Sequence, residues 1–234
     1  MKSYFLSLAL LAIFLCSPFT VYPQPPDVIS WEDDIRNFEH LDSTEIYPGN
    51  AILFAGSSSI RLWAELARDM APYPVIQRGY GGAKLSDLAI YAERIVYPHA
   101  CRAIVLFIAN DITGNEDDKS PEEVARLYRC LLKTIRKKYP DTPVFWIEIT
   151  PTPLRWNVWP LIAEANCLIE DFSGSSENTY YIRTDFAFLN TFLQPREELF
   201  MPDRLHLNEA GYTVWREIIR KELDRVLGQQ PLSF

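Results

Sequence analysis

From about residue 50 onward the chain alternates between two hydrophobic patterns. Five apolar runs are short and almost unbroken: AILFA (51–55), PVIQ (74–77), AIVLFIA (103–109), VFWIEI (144–149) and YYIRT (180–184). Between them lie IRLWAELARDM, KLSDLAIYAERIV, SPEEVARLYRCLLKTIRKKY and WPLIAEANCLIEDF, whose apolar positions recur three and four residues apart. A short acidic stretch, WEDDIRNFEHLD, precedes the first run, and NEAGYTVWREIIRKELDRVL closes the pattern. Runs that are apolar at nearly every position belong to strands covered on both faces, the habit of parallel sheets, and the amphipathic stretches between them supply crossover helices. The pattern predicts an α/β fold with a parallel sheet between two layers of helices. Ser120, Pro121 and Glu123 mark one helix start, with a capping side chain, proline at the first helical position and an acid three residues after the cap.

The first residues depart from this alternation. MKSYFLSLALLAIFLCSPFT has one lysine, an apolar segment from Phe5 to Cys16 and a break at Ser17-Pro18. That is the plan of a secretory signal, and it is too short for a comfortable membrane span. The expectation is a signal over 1–22, an exported protein and one domain over 23–234, with an uncleaved anchor or a buried first helix as the alternative. Cys16 stands where a lipoprotein cysteine would, but Phe14 and Leu15 are bulky where small residues are usual, so the case for a lipid anchor is thin. The proline-rich YPQPPDVIS then leads into the fold.

Charge and cysteine content narrow the function. A formal charge of −8 disfavours a nucleic-acid partner. Beyond the leader the cysteines are Cys101, Cys130 and Cys167, an odd and scattered set that does not read as a disulfide framework. Cys130 and Cys167 fall in helical patterns and are expected to be small buried hydrophobes. There is no CxxC, no HExxH and no histidine pair at metal spacing, so neither a metal nor another cofactor is expected.

The chemistry starts where the first apolar run ends, in GSSS (56–59). Three consecutive hydroxyls could cap a following helix, or one could be a nucleophile at the carboxyl edge of the sheet. A nucleophile needs a base, and the chain has only His40, His99 and His206. His40 precedes every strand and His99 precedes the third, at the opposite edge. His206, in DRLH just before the last helix, shares the edge with the serines. Asp203, three residues earlier, can hold its tautomer and stabilise its imidazolium; alternatively, Asp203 and Asn208 are local caps.

Oxyanion donors are available at two more strand ends. QRGYGGAKL places Gly79, Gly81 and Gly82 after the second run, and IAND (108–111) places the Asn110 amide after the third. Two loops, PTPLRWNVWP (151–160) and LNTFLQPREELFMPDRLH (189–206), lie at the same edge. Trp156 and Trp159 in the first of these, with Trp63 after the serines, are candidates for a wall against a sugar or lipid.

These blocks resemble the SGNH hydrolases, or GDSL-like esterases and lipases, over nearly all of the mature chain. GSSS is similar to that family's Gly-Asp-Ser block, RGYGG (78–82) to its glycine block, IAND to its Gly-x-Asn-Asp block and DRLH (203–206) to its Asp-x-x-His block. The resemblance implies a flavodoxin-like, three-layer α/β/α sandwich with a five-stranded parallel sheet. It assigns Ser58 as nucleophile, with Asp203 and His206 completing a triad, and Ser58, Gly82 and Asn110 as oxyanion donors. Three positions depart from it: Ser57 replaces an aspartate, Ile108 a glycine, and Arg204 a residue that is commonly glycine. Arg204 is therefore a candidate for controlling what enters the site. Ile60 where an α/β-hydrolase elbow has its second glycine excludes that neighbouring fold. The expectation is an exported serine esterase acting on short acyl esters such as acetyl groups on carbohydrate. The alternative is a non-catalytic carbohydrate- or lipid-binding module on the same fold.

Overall fold

The computed structural model of the chain describes residues 30–228; the expected signal over 1–22 and Cys16 lie outside the described residues. The elements in order are α1 (Glu32–Thr44), β1 (Ala51–Gly56), α2 (Ser58–Arg61), α3 (Leu66–Asp69), β2 (Val75–Gly79), α4 (Leu85–Val96) and β3 (Cys101–Phe107), followed by α5 (Pro121–Lys138), β4 (Val144–Ile147), α6 (Trp159–Gly174), β5 (Thr179–Ile182), α7 (Asp185–Phe188) and α8 (Glu209–Leu227). All strand pairs are parallel and the order is β2-β1-β3-β4-β5.

The central strands β1, β3 and β4 bury both faces, as their near-unbroken apolar runs require, while the edge strands β2 and β5 are half-buried at alternate or middle positions. Along β1, Leu53 and Ala55 join one core with Ile35, Leu85, Tyr128 and Ile162, from α1, α4, α5 and α6. Ile52 and Phe54 join a second core with Ile60, Leu66, Tyr212 and Trp215, from α2, α3 and α8. The chain is thus an α/β/α sandwich in flavodoxin-like order. In such a sheet the crevice opens where the strand order reverses, outside the carboxyl ends of β1 and β3. The serines follow β1, and Asn110 follows β3.

Most predicted elements stand within two residues of their expected bounds, and the Ser120 side chain accepts the Glu123 N–H at the start of α5. Three expectations are corrected. IRLWAELARDM is not one helix but the single turns α2 and α3, which drop Trp63 between them into the second core. Cys130 and Cys167 are exposed, because they sit on the solvent faces of α5 and α6. Of the three described cysteines only Cys101 is buried, and burial pushes its thiol up to about 11.

Candidate active site

Two glycines bring the serines to the sheet edge. Gly56 ends β1 at φ +142°, and a Cβ there would stand 2.0 Å from the Phe107 carbonyl oxygen. Its absence lets the Ser57 N–H reach that oxygen at 2.8 Å. Gly79 ends β2, where a Cβ would stand 2.4 Å from the Arg61 nitrogen, so only glycine lets α2 lie against the strand.

Ser57 is the N-cap of α2, and Ser58 its first residue. The expected capping role of the flanking serines takes a different form: the Ser57 side chain makes no cap hydrogen bond and is almost fully buried. Ser59 contributes through its carbonyl, which accepts the Tyr212 hydroxyl at 2.9 Å. The Ser58 and Ser59 N–H groups open the helix, where no intrahelical carbonyl is available to them.

His206 lies across from Ser58, on the segment leading into α8. Its Nε2 is 2.9 Å from Ser58 Oγ and its Nδ1 is 2.6 Å from Asp203 Oδ2. Asp203 Oδ1 also accepts the Leu205 and His206 N–H groups, each at 3.0 Å. Burial pulls the Asp203 pKa up, but the hydrogen bonds from His206 and these two amides prevail and hold it below its ordinary value. An ionised carboxylate only accepts, so Nδ1 carries the ring proton and Nε2 of the neutral ring is left to accept from Ser58. Asn208, the other candidate cap, accepts the Gly211 N–H at 3.1 Å and starts α8. Asp203 is thus a turn cap and the partner of the imidazole at once.

The cleft beside Ser58 is lined by Ser57, Ser59, Asn110, Thr152, Arg155 and His206, among others, and leaves about 20 Å³, room for roughly one water. Asn110 Nδ2 donates to the Ala83 carbonyl at 3.0 Å, and its Oδ1 accepts from Arg155 Nη2 at 2.7 Å. Ile108 is fully buried in the first core, so its departure from glycine adds packing two residues before the amide. Gly82 stands apart from this lining, on an exposed turn past β2 at φ +71°, with the Trp31 ring 3.1 Å from where a Cβ would be.

Trp63 is corrected from the candidate wall to the core. It is 1% exposed, donates Nε1 to Asp69 Oδ2 at 2.8 Å and stacks on Tyr212 at 5.3 Å, so it offers no ring face to a ligand. Trp156 and Trp159 are partly exposed and stack on each other at 6.0 Å and 16°. Arg204 holds φ +60°, the left-handed backbone that makes glycine common at this point of the motif. Its carbonyl accepts the Leu154 N–H at 3.0 Å, tying the two loops together, and its guanidinium pairs with Glu197 at 2.7 Å.

The residue that motif reasoning missed is Arg155. The signal was present: it is the only charge in PTPLRWNVWP. Among the described residues no group of three or more His, Cys, Asp or Glu side chains is gathered to hold a metal ion.

A family model described as "GDSL-like Lipase/Acylhydrolase family" matches residues 44–214. No curated protein matches the sequence. Among solved structures, a Streptococcus pneumonia protein provisionally named a platelet activating factor is 19% identical, with a TM-score of 0.73 over 84% of this chain and 94% of that one. A GDSL-like lipase from Bacteroides thetaiotaomicron is 13% identical, with a TM-score of 0.69 over 82% and 98%. An acetyl xylan esterase variant from Geobacillus stearothermophilus is 16% identical, with a TM-score of 0.60 over 76% and 96%. At these identities the likeness is one of fold.

Proposed function

The chain belongs to the GDSL-like lipase/acylhydrolase family, and within it we propose that it is an exported serine esterase that removes short acyl groups. The observation that carries this reading is the unbroken relay from Asp203 Oδ2 through His206 to Ser58 Oγ, at 2.6 and 2.9 Å. A binding module has no use for a proton relay.

Ser58 Oγ attacks the ester carbonyl carbon as its proton passes to His206 Nε2. The carbonyl oxygen takes up the negative charge and is met by the Ser58 N–H and the Asn110 amide, which line the cleft, with the Gly82 N–H on the turn past β2 as the third donor that the family resemblance implies. When the C–O bond to the alcohol breaks, His206 gives that proton to the departing oxygen. Water then attacks the acyl-enzyme, giving one proton to His206. Cleavage of the Ser58 ester releases the acid, and the same proton returns to Ser58 Oγ. Asp203 stays ionised throughout and stabilises the imidazolium.

The narrow space beside Ser58 favours a small acyl group, acetyl above longer chains. Trp156 and Trp159, one and four residues past Arg155, offer an aromatic edge for a carbohydrate alcohol. The fold it shares with an acetyl xylan esterase fits an acetylated carbohydrate as substrate. Export rests on the leader sequence alone.

Hydrolysis of p-nitrophenyl acetate, butyrate and octanoate by the wild type and by Ser58→Ala tests this reading. Acetate is expected to be turned over fastest, with no activity in Ser58→Ala. A folded wild type inert to all three esters and to a fluorophosphonate label would instead leave the binding module.

A further inference from the structure

Arg155 is 8% exposed, lines the cleft with Ser58 and His206, and no acidic side chain pairs with it among the described residues. Taking a guanidinium out of water without a carboxylate is costly, so a buried, unpaired arginine calls for an explanation. Its burial pulls its pKa down, opposed only by the more distant charges of Asp118 and Asp111. Its partners are two oxygens at the end of β3: the Ala109 carbonyl, which accepts from Nη1, and Asn110 Oδ1, which accepts from Nη2 at 2.7 Å. These contacts engage two of its five N–H donors.

We propose that Arg155 is a positioning residue for the oxyanion site: it fixes the Asn110 amide with its nitrogen as the free end and holds a positive charge beside the carbonyl under attack. The inference rests on the esterase reading above. Both ends of the amide support it. A flipped Asn110 would set its NH₂ against the guanidinium, donor to donor, and its oxygen against the Ala83 carbonyl, acceptor to acceptor. The observed orientation is the only one that satisfies both neighbours, and it leaves one N–H of Nδ2 beyond the bond to Ala83. A charged donor on Oδ1 also polarises the amide, which strengthens that remaining N–H as charge develops on the substrate oxygen. Because Arg155 sits one residue after Leu154, whose N–H is held by the Arg204 carbonyl, the loop that carries it is anchored to the segment bearing Asp203 and His206.

The test compares Arg155→Met, which keeps the length without the charge, and Arg155→Lys, which keeps the charge without the two-pronged donor. Both are measured for kcat and KM on p-nitrophenyl acetate, beside the wild type and Ser58→Ala. The expected result is about a 10²-fold loss of kcat in Arg155→Met, with KM within about threefold of wild type, and a smaller loss in Arg155→Lys. Fluorophosphonate labelling of Ser58 should slow in parallel, because the attack on phosphorus develops charge on a phosphoryl oxygen facing the same donors. A loop merely loosened by the substitution would raise KM or lower Tm and leave kcat alone, and that outcome overturns the proposal. If Arg155→Met does not fold, Arg155→Lys decides: a lowered kcat at unchanged KM supports the proposal, and an unchanged kcat refutes it. A wild type without turnover would fail the esterase reading instead, so the two failures are distinct.

Discussion

The protein holds two histidines beside aspartates, and they are not alike. His206 meets Asp203 at 2.6 Å and Ser58 at 2.9 Å, with 22% of its side chain exposed. His99 is 3% exposed, and its Nε2 stops 3.6 Å short of Asp42 Oδ1. The difference lies in what else claims the carboxylate. Asp42 is taken by the buried guanidinium of Arg78, which also donates to the Tyr47 hydroxyl oxygen at 3.0 Å, and the Tyr47 ring closes over His99 edge-on at 5.7 Å. His99 Nε2 is left without a hydrogen-bond partner among the described residues. Among the described residues, Asp203 is claimed by no lysine or arginine, only by its own turn and by the imidazole. A histidine near an aspartate is therefore not in itself a catalytic pair. Only where the acid is free of cations and a hydroxyl waits on the other ring nitrogen is the geometry that of a proton relay.

The largest expected effect tests that contrast directly. Ser58→Ala and His206→Gln should each lower kcat on p-nitrophenyl acetate by on the order of 10⁶-fold, while His99→Gln stays within a few-fold of wild type. An equal loss from His99→Gln in a folded protein would erase the distinction. Next in size is Asp203→Asn, which keeps the shape of the turn but no longer fixes the Nδ1–H tautomer or neutralises the imidazolium; kcat should fall by about 10⁴-fold. A loss under tenfold would reduce Asp203 to its role as a turn cap.

The buried histidine should show itself in stability. Burial, aided by Arg78 and Lys138 and opposed by Asp42, lowers the His99 pKa, so the unfolded chain takes its proton first. Stability from this group is complete above the unfolded value of about 6.5 and is lost as the pH falls below it. Asp111 has the opposite sign. Burial raises its pKa from 3.8 to about 6, so the stability linked to it is complete below about 4 and is lost as the pH rises through 6. Both groups therefore act on the acid side with opposite slopes, so that in urea unfolding from pH 4 to 8 stability should rise less steeply with pH below about 6.5 in His99→Gln and fall less steeply between about 4 and 6 in Asp111→Asn. Unchanged slopes in both variants would remove these groups from the pH response.

Legibility in the sequence followed the range of the interactions. β1, β3 and β4 could be read because a strand covered on both faces is apolar at every position, a local property. Asp203 and His206 could be read because one turn of chain brings them together. Ser58 and Asn110 could be placed at one edge because strand ends are predictable even when contacts are not. Trp63 could not be placed, since its burial depends on α2 being a single turn packed against β2, where the close approach at Gly79 is a contact between distant parts of the chain. Cys130 and Cys167 were misread because a helical pattern does not by itself say which face a small residue occupies. Arg155 acquires its meaning only when the loop after β4 reaches back to the end of β3.

The same comparison extends to the backbone, where the expected effect is smallest. Three non-glycine residues have positive φ among the described residues, Asn178, Leu193 and Arg204, and two of them lie in the 189–206 loop that carries Asp203 and His206. None lies in the Asp42, Arg78 and His99 cluster. An arginine in the left-handed region costs on the order of 1 kcal/mol relative to glycine. Its pairing with Glu197 offsets little of that, because both side chains are more than half exposed. Arg204→Gly should therefore raise the unfolding free energy by about 0.5 kcal/mol once the added freedom of the unfolded chain is counted. Arg204→Ala, which keeps the strain and loses the ion pair, should leave it equal or slightly lower. The two variants measured together separate strain from charge. If Arg204→Gly gains stability while kcat on p-nitrophenyl acetate falls, the strained backbone holds Asp203 and His206 in register with Ser58. If it gains stability at unchanged kcat, the neighbouring hydrogen bonds from Leu205, His206 and Leu154 hold the turn without help from its φ.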